Sequence, residues 1–276
     1  MEQRSERRRP AGPPRRVGPL ISRHWGPDVK LGMRLAGTAV ATVVAAVPAA
    51  LALVLVEAQW APLRRLDRGA AASLHQQVLE HPWLVRVLRF LTDVVWGPVT
   101  MRLLVAVLVV WLLSRRAWRL AAWAAVTALA GAAAGLLAKN TVERARPHLP
   151  DPVAHSPGFS FPSGHAMTAT TSCAILLLVL IPLVPRRWRP VPWVLAVVAV
   201  LGVSGTRVAL GVHWVSDVIG GWCLGLAVVT ATALAFEAWR SDIGRLPTTP
   251  AQGLEPEIAD ADRPAVAAHG GRSRPL

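Results

Sequence analysis

Apolar, uncharged stretches recur along the chain at residues 35–56, 120–138, 166–185 and 218–236. Each is close to the roughly 20 residues that a helix needs to cross the hydrocarbon core of a bilayer. A fifth stretch, 191–206, is shorter and reaches that length once Arg207 joins it, with the charge facing protein or water rather than lipid. The sixth, 103–113, spans only by reaching back past Arg102, Pro98 and Gly97 toward Val94, with Arg102 snorkelling near that end. The pattern therefore predicts six transmembrane helices. Between the first two, "RRLDRGAAASLHQQVLEHPWLVRVLRF" mixes charged and apolar residues at helical spacing, which predicts a helix lying at the membrane interface.

Composition supports the same class. Of 276 residues, 53% are hydrophobic and 17% charged, and mean hydropathy is +0.41, which excludes an ordinary soluble domain. The expected fold is an all-α integral membrane protein, with the six spans contained in residues 31–240. Residues 1–30 are basic and Pro-rich, and 241–276 are polar with mixed charge. Neither segment buries enough apolar surface to offset its ordering entropy, so both are expected to be disordered tails. The first 30 residues also lack the apolar core of a signal peptide. The formal charge of +14 calls for no nucleic-acid partner. Anionic lipid headgroups suffice to attract the basic tail. Cys173 and Cys223 both sit inside apolar runs, so no disulfide framework or thiol metal site is expected.

Loop charges orient the bundle. The N-terminal segment, "SRRAWR" between spans two and three, and "PRRWRP" between spans four and five share one side and collect arginine, which marks that side as cytoplasmic. Both termini then lie inside, and residues 139–165 and 207–217 lie outside. Arg64, Arg65 and Arg68 in the first outer loop weaken this asymmetry without reversing it.

The polar residues foreign to an apolar bundle fall in "KNTVERARP", "PSGH" and "RVALGVHWVSD", all at the outer ends of spans three to six. Lys139, Arg146 and Arg207 would repel one another around a shared spot unless an anion held them together. A phosphate group fits, because a guanidinium fork can grip two of its oxygens and an ammonium adds a point charge. Ser163 and Gly164 open the fourth span, where the first helical N–H groups lack internal partners and can point at an anion. With the sixth span starting near His213, Asp217 lies at i+4 and can hold one ring nitrogen, leaving the other as an outward lone pair. His165 is then placed to protonate a leaving oxygen. Singly, each residue has an ordinary reading: an interfacial histidine, a snorkelling cation, or an Asp217 that only satisfies a helix N-terminus. Jointly those readings leave unexplained why the outer rim, where cations are disfavoured, carries three of them with two histidines and a carboxylate.

These residues resemble the type 2 phosphatidic acid phosphatase family, membrane relatives of vanadium haloperoxidases and bacterial acid phosphatases. Its signature is a lysine, six residues and Arg-Pro, then Pro-Ser-Gly-His, then Ser-Arg, five residues, His, three residues and Asp. Here these parts are Lys139 with Arg146 and Pro147, then Pro162 to His165, then Arg207, His213 and Asp217, with Thr206 in place of the serine. The resemblance implies a phosphatase/haloperoxidase-like helical core and a phosphohistidine formed on His213 and oriented by Asp217. It makes His165 the acid and then the base, with Lys139, Arg146, Ser163, Gly164 and Arg207 around the phosphate. It implies no metal and no cofactor. The expected substrate is a lipid phosphate or diphosphate at the outer surface of the cytoplasmic membrane. Undecaprenyl diphosphate leads, with phosphatidate, phosphatidylglycerophosphate and other prenyl diphosphates left open. Transfer to an acceptor instead of water, and a non-catalytic lipid-handling protein, are the rivals.

Overall fold

The computed structural model describes residues 27–242 and 253–254. Among the described residues the regular structure is entirely helical. α1 runs over Pro27–Glu57, α2 over Ala61–Leu79, α3 over Pro82–Phe90, α4 over Pro98–Ser114, α5 over Trp118–Val142, α6 over Gly164–Leu180, α7 over Pro190–Ala209 and α8 over Val215–Asp242. Six of its helical stretches are long and apolar enough to cross a membrane. α6 is the most buried of them, packed between α4, α5, α7 and α8, while α1 leans on α8 at the edge. Side chains facing away from the bundle are themselves apolar, as with Val40, Val43, Val44, Val47, Leu51 and Val54 along α1. A surface of that kind is stable against lipid tails and not against water.

Close approach of the central helices depends on small residues, as is usual where lipid removes the hydrophobic drive between helices. On α8, a Cβ added to Gly221 would lie 2.8 Å from the Ser163 carbonyl oxygen and 3.1 Å from the Met167 nitrogen. The backbone of α8 therefore touches the start of α6, which is where the two parts of the expected site must meet.

The second span departs from expectation. It begins at Pro82 rather than near Val94 and continues to Ser114 through a π-helical turn, Leu91–Val95. Trp96 N–H bonds to the Leu91 carbonyl, five residues back, and Pro98 has no N–H to offer Val94. The hydroxyl of Thr100 takes the Val94 carbonyl instead. The break expected to end the helix is thus absorbed, and a proline count alone undersizes the span. The helix foreseen at the membrane interface is divided accordingly. α3 belongs to the second span, while α2 lies across the ends of α7 and α8, burying Asp67, Ala71, His75 and Val78.

The tails also differ in detail. Residues 27–30 already belong to α1, and α8 extends to Asp242. In the segment expected to be solvated, Leu254 is buried, its N–H bonding to the Leu178 carbonyl at the end of α6. Leucine in a polar tail gains more by entering a bundle of this kind than by staying in water. The rest of both tails lies outside the described residues.

Candidate active site

The three polar segments converge at one end of the bundle. Lys139 stands in the last turn of α5, Ser163 caps α6, Arg207 stands in the last turn of α7, and Asp217 stands in the first turn of α8. His213 lies just before α8 rather than on it, in the link from α7. His165 lies within electrostatic reach of Arg207, His213, Arg146 and Lys139. The two histidines and the three cations thus share one neighbourhood.

His213 and Asp217 are both buried. Nδ1 of His213 lies 3.4 Å from Asp217 Oδ2, a long bond, and Nε2 lies 3.1 Å from Nη1 of Arg146. A guanidinium has donors and no acceptor, so Nε2 must present its lone pair and Nδ1 must carry the proton. The tautomer is therefore fixed by its two neighbours. Burial lowers the His213 pKa to about 4, against the raising pull of Asp217. The ring is accordingly neutral at physiological pH, with the Nε2 lone pair turned toward Arg146. Asp217 Oδ2 also accepts the Trp214 N–H at 2.8 Å. Its two expected readings, helix-end partner and histidine partner, hold together.

Arg146 behaves differently from the free fork read in the sequence. Nε donates to Gly158 O at 2.9 Å, Nη2 to Pro157 O and Phe159 O at 3.1 and 3.0 Å, and Nη1 to Val212 O at 2.7 Å as well as to His213. All five donors are engaged. Arg146 ties the loop before α6 to the link before α8, and one of its Nη1 donors meets Nε2 of His213. Lys139 donates to Phe159 O at 2.9 Å. Arg207, by contrast, is buried with an Nε that has no hydrogen-bond partner, as is the hydroxyl of Ser163. Buried polar atoms of this kind normally find a partner, so these two mark where an anion would be received. The N–H of Ser163 is held by Asp217 O at 2.9 Å. That leaves the N–H groups of Gly164, His165 and Ala166 as the backbone donors at the start of α6.

A lateral cavity of about 270 Å³ opens between α4, α5 and α6. Lys139, Pro162 and Gly164 line it at the site end, and Ala128, Gly131 and Ser172 line it deeper in the bundle. Its reach down the helices matches a hydrocarbon chain attached to a group held at the rim.

Four residues beside the site escaped the sequence reading: Asp67, Arg144, Ser216 and Asp93. Asp93, in the π-helical turn, offsets the charge of Arg207. Arg144, Ser216 and Asp67 form a hydrogen-bonded group behind Asp217. The available signal was the doubled arginine of "ERARP", whose first member carries no role in the three-part signature.

The fold and its polar rim define an all-helical, multi-pass membrane protein with three cations, two histidines and a buried aspartate gathered at one end of the bundle. The profile of the PAP2 superfamily matches residues 119–241, a stretch that contains all three signature motifs, so the resemblance read from those motifs holds over these residues. It is 42% identical over 91 residues to phosphatidylglycerophosphatase B of Bacillus subtilis, covering 32% of this chain and 44% of that protein. It is also 42% identical over 67 residues to undecaprenyl-diphosphatase of Sulfolobus acidocaldarius, covering 24% and 29%. With phosphatidylglycerophosphatase B of Escherichia coli it shares 36% identity over 106 residues, 38% of each. The chain thus aligns with less than half the length of these curated relatives. A crystal structure of a transmembrane PAP2-type phosphatidylglycerolphosphate phosphatase from Bacillus subtilis superposes with a TM-score of 0.60 and 25% identity, over 73% of this chain and 98% of that one.

Proposed function

We propose that this chain is a lipid phosphatase that works through a phosphohistidine on His213 and needs no metal. The observation that carries the reading is the pairing of Nδ1 with Asp217 and of Nε2 with Arg146, which leaves a neutral imidazole with its lone pair toward the cations. The terminal phosphate enters among Lys139, Arg207, Ser163 and the Gly164 and His165 amides, and the Nη1 donor of Arg146 passes from Nε2 to a phosphate oxygen. Nε2 attacks phosphorus, the bond to the leaving oxygen breaks, and His165, which takes up a proton brought in by the phosphate, gives it to that oxygen. Water then gives a proton to His165 and attacks the phosphorus, the N–P bond breaks, and inorganic phosphate leaves with His213 regenerated. Positive charge around the equatorial oxygens supplies the stabilisation that a metal gives other phosphoryl-transfer sites.

The lateral cavity holds the start of the hydrocarbon chain beside the bilayer, which suits a lipid phosphate or diphosphate better than a soluble ester. Within that class we favour undecaprenyl diphosphate, hydrolysed to the monophosphate at the extracytoplasmic surface, the substrate one relative's name carries; the names of the other relatives and of the solved structure support phosphatidylglycerophosphate. The test is phosphate release by detergent-purified protein from prenyl diphosphates, phosphatidate and phosphatidylglycerophosphate, with and without an acceptor alcohol. The expected result is release from at least one lipid, abolished in His213→Ala, inhibited by vanadate and unchanged by chelators. Near-normal turnover by His213→Ala would remove the mechanism, and phosphate recovered on the acceptor in place of free phosphate would make the protein a transferase.

A further inference from the structure

Arg144 stands two residues before Arg146, yet its guanidinium serves the back of Asp217. Its Nη1 donates to Asp217 Oδ1 at 2.6 Å and to Ser216 Oγ at 2.7 Å, and its Nη2 donates to Asp67 Oδ2 at 2.8 Å. The indole of Trp214 flanks the guanidinium, 5.8 Å from ring centre to carbon. Asp67 arrives from α2 and is 1% exposed. Its Oδ1 accepts the Ser216 N–H at 2.9 Å, and its Oδ2 accepts the Ser216 hydroxyl at 2.6 Å. One cation is thus shared between two buried carboxylates, and the group as a whole carries a net negative charge.

That charge balance bears on the reaction. When Nε2 bonds to phosphorus, the imidazole becomes cationic until Nδ1 gives up its proton, so the first step is favoured by net negative charge beside Nδ1. An Asp217 paired with Arg144 alone would be neutralised by it at 2.6 Å. Asp67 takes part of the cation's field and leaves Asp217 its negative character.

We propose that Asp67, through Arg144, is a positioning residue for His213, acting by keeping Asp217 effectively anionic. The inference rests on the phosphohistidine reading above. A different account of the same contacts is that they only tie α2 to α8, and the two accounts separate experimentally. Asp67→Asn removes the charge and keeps the size of the side chain. Ser216→Ala removes hydroxyl contacts of the same tie while leaving both carboxylates and Arg144 in place.

The experiment uses the full chain in detergent, with kcat and KM measured on whichever lipid phosphate the wild type hydrolyses, and competition by inorganic phosphate measured alongside. Asp67→Asn is expected to lower kcat by at least about tenfold, as for a lost orienting group. KM and the inhibition constant for phosphate stay within about threefold, because no residue facing the phosphate is touched. Ser216→Ala is expected to lower kcat by less than about threefold. Three outcomes overturn the proposal: unchanged kcat in Asp67→Asn, loss of phosphate affinity in step with kcat, or an equal loss in Ser216→Ala. If Asp67→Asn does not fold, the Asp67→Asn/Arg144→Met pair, which removes both charges and restores Asp217 as a lone anion, takes over the test. There, kcat close to that of Ser216→Ala supports the shared-charge account, while a further large loss, or failure of that pair also to fold, overturns it. A wild type that releases phosphate beside an inactive His213→Ala establishes the underlying reading independently, so failure of the Asp67 test leaves that reading standing.

Discussion

Asp217 divides its oxygens between two tasks, and that division sets what a conservative change would do. Oδ1 accepts from Arg144, while Oδ2 accepts from Trp214 N–H and Nδ1 of His213. In Asp217→Asn one of these positions becomes an NH₂ group, which faces a donor whichever way the amide turns. The His213 ring then loses the partner that fixes its tautomer. Expected is a fall in kcat of about 10²- to 10⁴-fold, the range for a displaced acid–base partner or a lost orienting carboxylate, measured by steady-state phosphate release with KM as the control for binding. The same residue pair sets the pH response. Burial holds the His213 pKa near 4 in the folded protein, below the ordinary 6.5. The unfolded chain therefore binds this proton first, and the group's contribution to stability is present above 6.5 and lost as pH falls from there toward 4. For activity, the acid limb of kcat/KM reports the free protein. The limb that stays put when substrates with different phosphate pKa values are compared should fall below 6.5, toward 4. A substrate-independent limb at 6.5 or above would show that His213 is not the buried neutral group described.

At the scale of the elements, the site depends on how closely α8 meets α6, and Gly221 is where this can be measured. Replacing a helical glycine by alanine ordinarily gains up to about 1 kcal/mol of helix propensity. Here the new methyl would meet the Ser163 carbonyl at 2.8 Å, a backbone atom that cannot rotate away. Overpacking of that kind costs about 1–3 kcal/mol, so the clash outweighs the propensity. Gly221→Ala should lower the thermal midpoint in detergent and reduce activity, because the atom displaced belongs to the residue capping α6. Gly205→Ala, with nothing near its Cβ, is the matching control and should be neutral or stabilising. Much of this level was legible in the sequence: apolar run lengths located five spans, and motif spacings brought Lys139, Arg146, Ser163, Gly164, His165, Arg207, His213 and Asp217 to one rim. What was hidden has physical causes. The buried stripe of α2, Asp67, Ala71, His75 and Val78, has helical spacing but is half polar, so hydrophobic periodicity places Asp67 on the solvent side. The second span hid behind Pro98, because the hydroxyl of Thr100 satisfies the carbonyl that the proline leaves behind. Arg146 looked like a free fork because backbone carbonyls 157–159 leave no mark in side-chain patterns.

For the whole molecule the open quantity is direction across the membrane, which decides which leaflet can supply a substrate. Six spans return the chain to the side on which it began, so the arginine-rich links after α4 and before α7 lie at the end opposite the site. Retention of arginine on the cytoplasmic side would turn the site outward, the direction proposed above. Arg64, Arg65 and Arg68 at the site end oppose this, but four of α2's residues, Asp67 among them, are buried on α7 and α8, and Asp67 engages Arg144. The bias therefore rests on the links, which hold Arg115, Arg116 and Arg119 on one and Arg186, Arg187 and Arg189 on the other. Single cysteines at two exposed positions, His155→Cys in the loop before α6 and Arg187→Cys before α7, separate the two directions in a background where Cys173 and Cys223 are replaced. In intact cells a membrane-impermeant maleimide should label position 155 and leave 187 unlabelled until the membrane is opened. The reverse pattern would place the pocket against the cytoplasmic leaflet, where a lipid phosphate made inside the cell would reach it directly and recycling of an outer-leaflet diphosphate could not be its task. Activity on purified lipid would be the same in both cases, so labelling, and not turnover, is the measurement that decides it.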